Sequence, residues 1–177
     1  MHSSLDAPYT NEISRESLSH LDDLYLEPRQ LEGYGEEVAA WVNRQKAFVE
    51  AHPPIAIYRV ATEGSQTRNG GTIQQVSSSL TFTLDNGWKV RAAQKGDQVV
   101  YADGSTARII TGAGEANSNI ALVGSRLSNG GEIINTLQKR FLIIVREGVP
   151  MAEDFLPALK LADVHRLRSN AMTEDIQ

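Results

Sequence analysis

The 177-residue chain has no cysteine. That excludes disulfides, thiolate nucleophiles and thiolate-held metals, and it suits a protein made in a reducing cytoplasm. Histidine is nearly as scarce, with four in all and none between His52 and His165. No basic run with interleaved aromatics occurs and the formal net charge is -5, which argues against a groove that neutralises nucleic-acid phosphates. No apolar run approaches the roughly 18 residues that cross a bilayer as a helix. The opening Met1-His2-Ser3-Ser4-Leu5-Asp6 lacks the basic and apolar regions of a signal peptide. The expectation is a cytoplasmic protein whose secretion, if any, needs no cleaved signal.

With 41% hydrophobic and 22% charged residues, the composition is that of an ordinary soluble globular protein. The length suits one small domain with elaborated ends. The middle third is written in repeats. Ala61-Thr62-Glu63-Gly64-Ser65 leads through Asn69-Gly70-Gly71 to Ile73, and Ala121-Leu122-Val123-Gly124-Ser125 leads through Asn129-Gly130-Gly131 to Ile133 at the same offsets. A weaker copy lies between them: Ala93-Gln94-Lys95-Gly96-Asp97, turning at Ala102-Asp103-Gly104. Starts at Ala61, Ala93 and Ala121 imply three copies of one unit of about 30 residues, a common period for repeat architectures.

In chain order, residues 1–35 read as a polar arm with one modest apolar cluster at Leu21, Leu24, Tyr25 and Leu26 and room for one short helix. From Glu36, apolar residues at Val38, Trp41, Val42, Phe48 and Val49 recur at helical spacing, Glu36-Glu37 open the first turn, and Pro53-Pro54 close the segment. The period then falls to two. Ile55 and Ile57 lead extended into the first copy, and Leu80, Phe82 and Leu84 alternate up to Asp85-Asn86-Gly87, with Trp88, Val90 and Ala92 on the return. Asn-Gly between alternating runs is a strong hairpin signal. A smaller hairpin runs from Val99-Val100-Tyr101 through Asp103-Gly104 to Ala107–Ile110, and a flexible connection is expected at Gly112-Ala113-Gly114. Phe141–Val145 reads best as a buried strand, though periodicity alone does not separate it from a helix segment, and Ala158–Asn170 as a weak helix before a polar tail. The divisions are 1–54 (arm and helix), 55–137 (repeats) and 138–177 (strand and helix extension).

The ordered Gly-Ser/Asp and Gly-Gly signatures over Arg59–Thr136 resemble the PAAR-repeat proteins that tip the spike of the type VI secretion machine. The resemblance implies a mainly β fold with flanking helices, whose core is a conical prism of three hairpins with pseudo-threefold symmetry. It also implies the function: a tip that caps a VgrG trimer, sharpens it for membrane puncture and helps to dock or deliver effectors. The partners it implies are the VgrG trimer, a target membrane met transiently, and an effector or adaptor held through either extension, with no nucleic acid. The protein would be made in the cytoplasm and expelled through the machine. In the family a histidine stands before the first Gly-Gly and a cysteine near the end of the last unit, both holding zinc. Here those positions are Asn69 and Asn129, and an amide is a poor substitute for imidazole or thiolate. No zinc or other cofactor is therefore expected; Asn69 and Asn129, with Tyr101, are expected to close the apex by hydrogen bonds. The turn glycines and their polar partners are Gly64, Ser65, Gly70, Gly71, Gly96, Asp97, Gly104, Gly124, Ser125, Gly130 and Gly131.

Catalysis is not expected. Asp97, Asp103, Glu115 and Glu132 are spaced by the repeat rather than gathered at a cleft. Ser65 and Ser125 have no histidine close in sequence, and Gly112-Ala113-Gly114-Glu115-Ala116 lacks the Lys-Ser/Thr of a phosphate-binding loop. The competing reading is a small β-rich ligand-binding or phage-tail tip module that uses the glycine loops for recognition.

Overall fold

The fold is that of a computed structural model, which describes residues 8–23, 33, 35–157 and 166. Over these residues the protein is mainly β, with short antiparallel strands and few helices. Strand β1 (Pro54–Arg59) pairs with β7 (Leu142–Arg146). β2 (Thr72–Gln75), β5 (Gln98–Val100) and β6 (Thr106–Arg108) make a three-stranded sheet in the order β2-β5-β6. β3 (Thr81–Thr83) and β4 (Lys89–Arg91) form the hairpin expected around Asn86-Gly87, with Phe82 opposite Val90.

The long helix lies at Glu36–Ala51, where the periodicity puts it, and is α2 here. Its apolar stripe is split: Val42 is buried at 3% exposure, while Trp41 and Phe48 are 52% and 44% exposed. The short helix of the arm, α1 (Arg15–Ser19), precedes the Leu21–Leu26 cluster and is capped by Ser14, whose hydroxyl accepts from the Ser17 N–H. Leu24–Leu26, and the helix expected over Ala158–Asn170 apart from Arg166, lie outside the described residues. β7 departs from the fully buried strand expected of it. Only Val145 is buried, because the strand pairs on one side with β1 and packs only partly against the core. A bidentate ion pair from Arg146 to Asp22, at 2.6 and 3.1 Å with both side chains under 15% exposed, ties the arm to this strand.

The three unit starts close on one another. The Ala61 N–H donates to the Ala121 carbonyl, Ala121 to Ala93, and Ala93 to Ala61, at 2.9, 2.8 and 2.9 Å. The flanking residues pair the same way, Val60 with Leu122, Thr62 with Ala92 and Gln94 with Ile120, so the three segments form a closed triangle. Beyond it each unit turns into a hairpin whose returning arm pairs with the outgoing arm of the next: Ile73 with Val99, Ile109 with Leu127, and Ile133 with Thr67. The last pairing returns to the first unit, so the ladder has no free edge.

Side-chain alternation divides the core into two clusters. Ala61, Ala93 and Ala121 share one with Ile73, Ile109, Ile133, Val99 and Leu127, inside the three hairpins. Their neighbours Val60, Ala92 and Leu122 belong to the other, which Phe82, Val90, Phe155 and Leu156 cover. The segment after β7 thus folds back on the repeats: the Leu156 N–H donates to the Gly112 carbonyl at 2.9 Å, and Phe155 is 1% exposed.

Candidate functional site

The residues singled out by the repeats occupy two levels, the corners where each unit leaves the triangle and the turns where each hairpin reverses. At the corners, side-chain oxygens of Ser65, Asp97 and Ser125 accept the N–H groups of Thr62, Gln94 and Leu122, at 3.0, 2.7 and 2.9 Å. Gly64, Gly96 and Gly124 adopt φ of 87, 96 and 103° and donate to Ile73, Ile109 and Ile133 at 2.7–2.8 Å. A side chain at φ near +90° is strained, so the reversal selects glycine. The alternation of Ser and Asp has the same basis, since either short side chain reaches back to the donor three residues earlier.

The hairpins above the corners are unequal. Thr67 and Leu127 each donate to the glycine four residues on, Gly71 and Gly131, and the chain turns at Gly70 and Gly130. In the middle unit the same closure is made by Tyr101 to Ser105 around Gly104. Tyr101 stands four residues after Asp97, whereas Thr67 and Leu127 stand two after their serines. The middle hairpin therefore overtops the other two, which carries Tyr101 to the level of Asn69 and Asn129. Its ring lies over the neighbouring turns: a Cβ on Gly71 would sit 2.8 Å from Tyr101 Cε1 and 2.6 Å from Val99 Cγ1, and one on Gly131 would sit 3.5 Å from the Tyr101 hydroxyl. Glycine is required at Gly71 by crowding rather than by φ.

The apex is held unequally as well. The Asn129 Nδ2 donates to the Tyr101 hydroxyl at 2.8 Å, and its Oδ1 accepts the Gly131 N–H at 2.9 Å. Asn69 is exposed and makes no side-chain hydrogen bond among the described residues. In its place the Thr67 hydroxyl accepts the Gly71 N–H at 2.9 Å. Asp103, at the top of the long hairpin, accepts from the Ser105 hydroxyl and N–H at 2.6 and 2.8 Å, and these bonds hold its carboxyl below the usual range.

Zinc does not fit these residues. Asn129 has one amide atom committed as donor to Tyr101 and the other as acceptor from Gly131, and Asn69 and Tyr101 supply neither imidazole nor thiolate. No group of three or more histidines, aspartates or glutamates able to hold a metal occurs among the described residues.

The other candidates have local duties. Ser65 and Ser125 are fully buried corner caps. Asp97 accepts from the Ser77 N–H and hydroxyl and from Gln94, and Glu132 pairs with Arg68 at 3.2 Å. The Gly112–Ala116 connection is tied down rather than loose: Asp154 accepts the Glu115 N–H at 2.8 Å, and Ala113 and Asn119 donate to Ile120 and Gly114. With a carboxylate already on its N–H, that loop does not present the cradle of free donors that a phosphate needs. Sequence reasoning missed Arg59, which is 8% exposed and donates to the carbonyls of Thr10, Glu12 and Lys139, with Asn11 bridging to the Arg59 N–H and the Val123 carbonyl. Burial lowers its pKa, and no carboxylate forms an ion pair with it among the described residues. The only sequence signal was its position, two residues before the first alanine of the triangle. No family model matches this chain, and neither the curated proteins nor the solved structures yield a match.

Proposed function

We propose that this chain is a PAAR-like tip of the type VI secretion spike, a conical three-hairpin prism seated as one copy on a VgrG trimer. The observation that carries this reading is the closed triangle of Ala61, Ala93 and Ala121 with its cyclic hairpin ladder. The end of a trimeric β needle offers three equivalent sets of unpaired strand groups, which cost free energy if left bare. A single chain satisfies all three only if it presents three corresponding units about one axis, even where their hairpins differ in length. On this reading the overtopping middle hairpin is the point, and its closure needs no zinc. The protein acts mechanically rather than as a catalyst, is made in the cytoplasm and leaves with the needle, carrying or docking effectors. Mixing the purified chain with a trimeric VgrG needle and measuring the mass by light scattering tests it. One chain per trimer is the expected result; no complex, or three chains per trimer, rejects it.

A further inference from the structure

Beside the triangle, the tip of the β3–β4 hairpin stands over the chain between Leu137 and Phe141 and leaves a cleft of about 90 Å³. Its walls are Tyr9, Phe82, Leu84, Trp88, Leu137 and Phe141. Phe82 and Phe141 stack at 4.2 Å between centroids, which fixes one side. Trp88 is nevertheless 66% exposed and Phe141 50%, so two large aromatics border the cleft with faces open to solvent. The rim has the opposite sign to the molecule. Among the described residues Lys139 forms no ion pair and Arg140 meets only Asp85, at 3.5 Å with both side chains mostly exposed, a geometry worth little. Behind them the buried guanidinium of Arg59 donates to the Lys139 carbonyl and is met by carbonyl groups and the Tyr9 ring, with no carboxylate partner among the described residues. Lys139 and Arg140 against Asp85 leave the lining of this cleft with one net positive charge, in a chain of net charge -5.

We propose that this cleft is a docking site for an acidic, extended peptide segment of a partner protein, which buries one large apolar side chain between Trp88 and Phe141 and sets its carboxylates on Lys139 and Arg140. The size decides for a side chain: a drug-sized ligand needs roughly 300 Å³ or more, whereas one buried anchor in a desolvated pocket is the usual core of a protein contact. The hollow between these walls takes a side chain, and the exposed faces of Trp88 and Phe141 are covered by the peptide that flanks it. Charge complementarity chooses the acidic partner and speeds its encounter. The site is independent of the tip reading, since it needs only the isolated chain.

The test is a titration of the full chain with the fluorescently labelled peptide Glu-Asp-Phe-Asp-Glu, blocked at both ends, against its Lys-Lys-Phe-Lys-Lys counterpart and phosphatidylglycerol vesicles. Saturable binding of the acidic peptide alone is expected, weakening with salt and falling at least tenfold in Arg140→Glu, Lys139→Glu and Trp88→Ala. The two charge reversals are at exposed positions, and their unfolding midpoints, measured alongside, should match the parent. Equal binding of both peptides, no binding at millimolar concentration, binding to vesicles instead, or affinity untouched by Arg140→Glu and Lys139→Glu overturns the proposal.

Discussion

Tyr101 shows how one side chain settles an apex. Its hydroxyl accepts from Asn129 while its ring occupies the space that a Cβ at Gly71 would need. Tyr101→Phe keeps the ring and loses the bond, so a loss of about 1 kcal/mol is expected in denaturant unfolding. A chelator should leave the unfolding midpoint unchanged, and a fall on adding EDTA would mean that a metal contributes. The opposite case is Thr62, fully buried with its hydroxyl unpartnered among the described residues. An unsatisfied buried polar atom costs about 1–3 kcal/mol, so Thr62→Val should raise the midpoint, and a lowered midpoint would show that the hydroxyl has a partner. Neither the Tyr101–Asn129 bond nor the idle Asn69 follows from the repeat alone. The motif places Asn69 and Asn129 identically, and the difference arises because the Asn129 turn is the one whose amide reaches the tyrosine.

At the scale of elements, local signals were readable and long-range ones were not. Asn86-Gly87 and Asp103-Gly104 marked two hairpins, and the helical spacing from Glu36 marked α2. Even the extra height of the middle hairpin is in the spacing, 13 residues from Gly96 to Ile109 against nine from Gly64 to Ile73. The partner of β7 was not readable, because a short apolar run carries no record of which of several strands it will meet. The pairing with β1, more than 80 residues away, is a ladder from Pro54–Arg146 to Arg59–Leu142, and the Asp22–Arg146 pair ties the arm to its end. Asp22→Asn removes the bidentate carboxylate while Arg146 keeps its bond to the His52 carbonyl, so it should cost about 1–3 kcal/mol. The double change Asp22→Leu with Arg146→Met should recover much of that loss. Urea unfolding of the single and double variants checks it, and a double variant as weak as the single would show that the pair's worth lies beyond charge compensation.

At the scale of the whole molecule, three unequal copies achieve what identical subunits achieve by symmetry. The sequence showed the unit starts and their order, and the structure adds that each alanine bonds to the next until the cycle closes. Such closure makes the triangle cooperative, since opening one bond removes support from both neighbours. The most direct measurement is native-state amide hydrogen exchange at Ala61, Ala93 and Ala121. The expected result is that all three protons exchange only through global unfolding, with protection free energies agreeing within about 1 kcal/mol. One of the three exchanging through local opening, several kcal/mol below the others, would contradict a closed ring and with it the proposed single-chain cap of a trimer.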